Sequence, residues 1–249
     1  MLVPVPPAAR ARLRPLFEGF PGLHGIIDSV LEGVLGQAWA DSASNPRVAH
    51  LALDFNMIAG DPQAPLAADA LRSLPAGEHL AVREAWEDLL VAVRGTVQPY
   101  ERIDFEQPLR WDRARLAELQ GGLPAGFIPE RITEESVAAF EALAESLIYN
   151  FASPEDFLAR GVGFGVRYRG KFVSGCSSFA ISSRSLEFEI QTHPRYQRRG
   201  LALVTGARMI EHCLDHGLTP CWDAAHEGSA RLAERVGFGA RRPYTAYRL

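Results

Sequence analysis

The second half of this 249-residue chain reads as an α/β domain. Two observations predict that class. The elements alternate in the order α-α-β-β-β-α-β-α-β, and one strand feeds directly into a long helix through a basic, glycine-containing turn. An apolar content of 47% supplies an ordinary globular core for such a fold.

The first half reads as helix followed by mixed structure. Over Gly25–Ala40 the residues Ile26, Ile27, Val30, Leu31, Val34 and Leu35 form one stripe at helical period. Val48–Ala59 alternates as a strand up to the turn Gly60-Asp61-Pro62. Leu80–Val93 predicts a helix with Val82, Trp86, Leu89, Leu90 and Val93 on its apolar side. Arg102–Phe105 reads as a short strand, and Asp112–Leu119 as a short helix capped by Asp112. Gln120-Gly121-Gly122-Leu123-Pro124-Ala125-Gly126 breaks both periods, which makes it the linker candidate between a domain at 1–122 and one at 123–249.

After that break Thr133 opens a helix running to about Asn150, with Glu134 and Glu135 in its first turn. A second helix starts at Ser153-Pro154-Glu155-Asp156, with serine as cap and proline at the first helical position. Strands follow at Gly163–Tyr168, Lys171–Ser182 and Leu186–Thr192, then a helix from about Gly200 to His216. A strand at Pro220–Ala224, a helix at Ser229–Val236 and a strand at Tyr244–Leu249 close the chain.

Composition narrows the function. Three scattered cysteines, Cys176, Cys213 and Cys221, suit a reducing cytoplasm and no disulfide framework. No secretory signal and no run approaching a membrane span is visible, so the expectation is a soluble cytoplasmic protein that does not engage a membrane. Residues 1–122 carry 11 arginines against 16 acids, and residues 123–249 a net charge of +1. That excess is too small for a nucleic-acid footprint, but it leaves the second half the better place for an anionic ligand.

The chemistry is carried by the run from Glu187 to Ala202. A strand ends near Thr192, a loop holds Arg198 and Arg199, and a helix opens at Gly200. A helix N-terminus offers unpaired N–H groups and partial positive charge to phosphate, and glycine lets the backbone come close. Gln197-Arg198-Arg199-Gly200-Leu201-Ala202 resembles the Gln/Arg-x-x-Gly-x-Gly/Ala signature of the GNAT acyltransferases. Thr192-His193-Pro194-Arg195-Tyr196 resembles that family's strand end, and Ser229–Val236 followed by Gly237-Phe238 its closing helix.

The resemblance implies a mixed, mostly antiparallel sheet flanked by helices. It also implies a first half that tends to be a degenerate α/β relative of the same fold. It implies acetyl-CoA as co-substrate, with no metal. The pantetheine arm would lie along the main chain of a splayed strand at Ile190, Gln191 and Thr192, and the pyrophosphate on the amides of Gln197, Arg198, Arg199, Gly200, Leu201 and Ala202. His226 stands where many relatives have an asparagine facing the cofactor, and Ala233 where they have a tyrosine general acid. Ser229 reads as a helix cap that also faces the cofactor. His212, Cys213, His216 and Cys221 have metal-like spacing, but Cys213 lies off the histidine face and no carboxylate motif accompanies them.

Acyl transfer to an amine needs an acceptor for the amine's proton and a donor for the departing thiolate. Glu187 and Glu189 share a face of the strand beside the expected thioester, and Glu189 is nearer its end. Tyr244 and Tyr247 are the candidate donors. The expected activity is N-acetyltransfer to a primary amine on a small molecule or peptide, by a monomer or homodimer. The alternative is a catalytically weak acyl-CoA-binding regulatory or scaffold module.

Overall fold

The computed structural model describes residues 1–249 and divides into two compact units. One is Met1–Asp104 together with Arg242–Leu249, and the other is Phe105–Arg241. No helix is long and apolar enough to cross a membrane.

In the first unit β1 (Val3–Pro4) and a 3-10 stretch at Pro7–Phe17 lead to α1 (His24–Leu31), β2 (Gln37–Ala40), β3 (Val48–Leu53) and β4 (Phe55–Gly60). The helix expected over Gly25–Ala40 therefore ends at Leu31. Gly33 and Gly36 take left-handed φ values of 75° and 68°, and a Cβ on Gly36 would stand 2.5 Å from the Ala52 carbonyl oxygen. The chain turns there and returns as a strand. The single strand expected over Val48–Ala59 is a hairpin hinged at Asp54, with φ 57° and Leu53 paired to Phe55. Aspartate is among the few residues that tolerate this region. The unit continues with α2 (Ala67–Arg72), β5 (His79–Ala81), α3 (Glu87–Arg94) and β6 (Gln98–Phe105). The helix expected from Leu80 starts only at Glu87, because Leu80 and Ala81 pair in parallel with Asn56 and Met57 of β4. Val48, Ile58, Leu71, Leu80, Trp86 and Leu90 form the core on this face.

The second unit opens with α4 (Arg113–Gly121), capped by Asp112, which accepts from the Arg115 amide at 3.0 Å. Then come β7 (Phe127–Arg131), α5 (Val137–Glu141), α6 (Pro154–Arg160), β8 (Gly163–Tyr168), β9 (Lys171–Ile181), β10 (Ser185–Thr192), α7 (Leu201–Asp215), β11 (Thr219–Cys221) and α8 (Glu227–Val236). The sheet runs β11-β10-β9-β8-β7, antiparallel except for the parallel β10–β11 pair. Ser153 caps α6 as expected, accepting from the Asp156 amide. The helix expected over Thr133–Asn150 is broken into α5 and a 3-10 turn, Glu145–Leu147, because Ala144 between them is extended. Glycines explain how this segment sits. A Cβ on Gly175 would lie 2.4 Å from the Phe140 ring, and one on Gly163 would lie 3.1 Å from Phe157. Their absence lets two fully buried phenylalanines rest on the sheet. On the opposite face Leu186, Phe188 and Ile190 of β10 pack with Met209 and Cys213 of α7.

The last strand is β12 (Arg241–Arg248), and it enters the first sheet, whose order is β1-β2-β3-β4-β5-β12-β6. Ala246 faces Ala81, and the buried Tyr247 faces Leu80 and donates to Glu87 at 2.6 Å. The division thus differs from the boundary expected at residue 122. Gly121 and Gly122 end a helix rather than separate domains, since Gln120 donates to Glu211 at 2.9 Å and Arg113 pairs with Asp215 at 2.7 Å, both on α7. A fragment of residues 123–249 would lack α4 and carry a strand with no sheet to enter. It is expected to aggregate or to lack a cooperative thermal transition by circular dichroism. A soluble fragment that melts cooperatively would show that α4 and the placement of β12 are dispensable.

Candidate functional site

The site starts from a parallel pair that does not stay together. β10 and β11 are in register only at Ser185–Thr219, Leu186–Pro220 and Glu187–Cys221. Beyond Glu187 the continuous ladder stops, and the β11-side edge of Phe188–Thr192 lies outside it. Aromatic rings hold this cleft: Phe188, Trp222 and Phe238 meet pairwise at centroid distances of 5.6 to 6.3 Å. Phe238 is swung into place by Gly237, the left-handed C-cap of α8 at φ 117°.

β10 leads into a 3-10 turn, Pro194–Tyr196, capped by His193, whose Nδ1 accepts from the Arg195 amide at 3.3 Å. The Tyr196 ring packs against Phe127 and Tyr168, and Arg199 lies over it at 5.9 Å. Gln197 donates to the Thr192 carbonyl at 3.4 Å, and Thr192 Oγ1 shares a hydrogen bond with Ser174 at 2.8 Å. Arg198 holds φ 59° and Gly200 φ 80°, both left-handed. For arginine that region is costly, by about 1 kcal/mol. Gly200 caps α7 with no side-chain hydrogen bond, and a Cβ there would meet open space. The first amides of a 15-residue helix thus face outward beside two exposed arginines, an arrangement suited to a phosphate anion.

The carboxylates lie on the opposite face of β10 from α7. Glu187 is buried, at 4% exposure, opposite Ala180 and Cys221. Glu189 is half-buried, and its Oε1 accepts from Ser146 Oγ at 2.9 Å and from Gln191 Nε2 at 2.7 Å. Ser146 sits on the 3-10 turn after α5. The register shift between Glu187 and Phe188 is braced by Asn150, which donates to the Phe179 carbonyl at 3.0 Å. Neither Ser146 nor Asn150 carries a signal in the sequence, because the helix period over Thr133–Asn150 hides the break that aims them.

These features coincide with what comparison finds. The family model for GNAT acetyltransferases matches residues 14–247. The chain belongs to the GNAT acetyltransferase family. It is similar to an uncharacterized N-acetyltransferase of Bacillus subtilis strain 168, YdfB, with 32% identity over 130 residues. That match spans half of this chain and 49% of the relative's length. A solved GCN5-related N-acetyltransferase-like protein from Streptococcus suis 89/1591 superposes with a TM-score of 0.83 at 30% identity, covering 97% of this chain and 98% of that one. A tandem GNAT protein from the clavulanic acid biosynthesis pathway shares the fold at TM-score 0.63 and 13% identity, over 99% and 97% of the two chains.

The first unit also places a parallel pair, β4–β5, after three antiparallel strands. The indole of fully buried Trp86 donates to the Gly60 carbonyl at 3.1 Å, at the end of β4. Arg47 pairs with Asp61 in the following turn, which holds no counterpart of the Gln197–Ala202 loop.

His226, not Ser229, caps α8: its Nδ1 accepts from the Ser229 amide at 3.1 Å. Ser229 Oγ instead accepts from Trp222 Nε1 at 3.0 Å, tying α8 to the aromatic cluster. The Gln191 side chain is engaged by Glu189. Tyr244 and Tyr247 are buried on the part of β12 that belongs to the first unit, and Tyr247 is held to Glu87, with burial pushing its hydroxyl pKa up. Ala233 is buried in α8. Burial raises the Cys176 thiol pKa and pushes that of Cys213 up to about 12, which disfavours the reactive thiolate form of both.

Proposed function

We propose that the second unit is an N-acetyltransferase moving an acetyl group from acetyl-CoA to a primary amine by direct attack. The observation that carries this reading is the splayed β10 running into the Gly200-initiated, side-chain-uncapped α7. Acetyl-CoA supplies the activated acyl group as a thioester. The main chain of Ile190 and Thr192 lines the pantetheine arm, and the amides of Gln197–Ala202 take the pyrophosphate, with Arg198 and Arg199 adding attraction. Glu189 accepts the proton that the ammonium of the acceptor must lose before it can attack. With Ala233 in place of a tyrosine, the departing thiolate takes its proton from solvent. The burial of the Cys176 and Cys213 thiols, which raises their pKa, favours direct attack over an acyl-cysteine route through either. A small-molecule or peptide amine is the partner, and three buried free cysteines suit a cytoplasmic setting.

Thiol release from acetyl-CoA, measured across a panel of primary amines, tests the reading. Turnover with at least one amine is expected. Saturable acetyl-CoA binding with no turnover on any amine would favour a CoA-binding regulatory module, the reading that Ala233 supports.

Ser146 provides a finer test. A donor to a carboxylate favours its ionised form, so Ser146→Ala is expected to raise the pKa of the base. The acidic limb of the kcat/KM–pH profile should move up by as much as about one unit, with Ser146→Thr restoring it. An unmoved limb would separate Ser146 from the base.

A further inference from the structure

The core-bearing face of the first sheet changes character at one end. Trp39 of β2, His50 of β3 and Asn56 of β4 line a cavity of about 680 Å³, bounded also by Ser73, Leu74 and Glu78. This is within the usual size of small-molecule pockets. His50 and Asn56 are only 8% and 7% exposed, beside the apolar Val48, Ile58 and Leu80. Burying an imidazole and an amide is costly unless their hydrogen bonds are supplied, and here the supply has a direction. Asn56 Nδ2 donates to Glu78 Oε2 at 3.1 Å and to the His79 carbonyl at 3.2 Å. Its Oδ1 therefore faces His50 Nε2, 2.8 Å away. An amide oxygen only accepts, so the ring carries its proton on Nε2 and presents Nδ1 as an acceptor. Trp39 lies flat on the imidazole, with centroids 4.8 Å apart and planes 18° apart, which fixes the ring's orientation. Burial lowers the His50 pKa and outweighs the Asn56 bond that raises it, which favours the neutral ring.

Two further groups of the wall, Glu78 and Ser73, also accept. Asn56 engages one oxygen of Glu78, leaving the other as an acceptor. Ser73 gives its proton to the Ala70 carbonyl at 2.9 Å and keeps its lone pairs. Arg72, a neighbouring donor on the rim, is paired with Asp69 at 2.9 Å. The rim charges are balanced: a cationic ligand would stand beside Arg72 and the N-terminal ammonium of Met1, which both pair with Asp69, and an anionic one beside Glu78 and Asp69. We propose that this cavity is a small-molecule site for a flat, uncharged ligand bearing an NH2 donor, a carboxamide or an amino-substituted heterocycle. Its donor is taken by His50 Nδ1 and the Glu78 carboxylate, and its ring lies against Trp39 and Leu74. The site belongs to the first unit, and it stands or falls independently of acetyl transfer.

The test is an NMR titration of the full 15N-labelled chain with nicotinamide and benzamide, against the matched acids nicotinate and benzoate. The free chain should show His50 as the Nε2–H tautomer. The amides should shift the His50 ring and Trp39 indole signals saturably, and the acids should not. His50→Phe keeps a stacked ring and removes the acceptor, so it is expected to weaken amide binding about tenfold. Glu78→Gln, at a half-exposed position, exchanges an acceptor for a donor and should act in the same direction if His50→Phe does not fold. Amides that move neither signal, acids that bind as well as amides, or a folded variant with unchanged amide affinity would overturn the proposal.

Discussion

Gly200→Glu is expected to abolish acetyl-CoA binding while leaving the second unit folded. Gly200 stands at φ 80° with open space where a Cβ would be, so an added Cβ meets nothing in the chain itself. The backbone cost of a non-glycine residue there is about 1 kcal/mol, which a domain of this size survives. The carboxylate, however, would project from the end of α7 that the proposed pyrophosphate must approach. Two like charges about 4 Å apart at an effective dielectric near 20 repel by about 4 kcal/mol, roughly a thousandfold in affinity. Gly200→Asn is the control, because asparagine tolerates the left-handed region and adds no charge. It should bind more weakly than the parent and far more tightly than Gly200→Glu. Calorimetry on the three proteins, with circular dichroism to establish folding, decides it. A folded Gly200→Glu protein with parental affinity would remove the basis of the acetyl-CoA assignment.

That prediction rests on residues whose place in the fold is legible in the amino-acid sequence. Gly200 and Gly237 each precede or follow an unmistakable helical period, and a glycine at a helix end has few other meanings. The illegible parts are those decided by contacts distant in sequence. The hairpin at Asp54 is hidden because an aspartate in the left-handed region leaves the alternation of Val48–Ala59 looking continuous. The glycine pair at Gly121-Gly122 has a linker's composition, yet Gln120 and Arg113 bind their helix to α7. The pattern of Tyr244–Leu249 predicts a strand correctly but says nothing about which sheet receives it. Pairing with Leu80 and Ala81 does that, across a separation of about 165 residues. The same limit hides Ser146. A serine in a broken helix looks like any other until the fold lays its hydroxyl 2.9 Å from Glu189.

Glu189→Gln is expected to lower kcat/KM for an amine acceptor by about a hundredfold to ten-thousandfold near neutral pH, the usual cost of losing a general base. The substitution is nearly isosteric, and a glutamine oxygen can still accept from Ser146 and Gln191, which donate to Oε1 in the parent. Stability and acetyl-CoA affinity should therefore change little, which separates a chemical role from a structural one. The loss should shrink as pH rises toward the pKa of the acceptor amine, because a neutral amine needs no base. Glu187→Gln is expected to differ in kind. Glu187 is 4% exposed and sits where β10 is still laddered to β11, short of the splayed edge. Its replacement should cost stability more than rate, and the rate loss should not depend on pH. The pH–rate profiles of both variants against one amine, with thermal melts alongside, settle the assignment. A pH-dependent loss confined to Glu187→Gln would move the base to that residue. Parental profiles in both would leave deprotonation to water or to another group, and Ser146 and Gln191 would then be holding Glu189 for its shape alone.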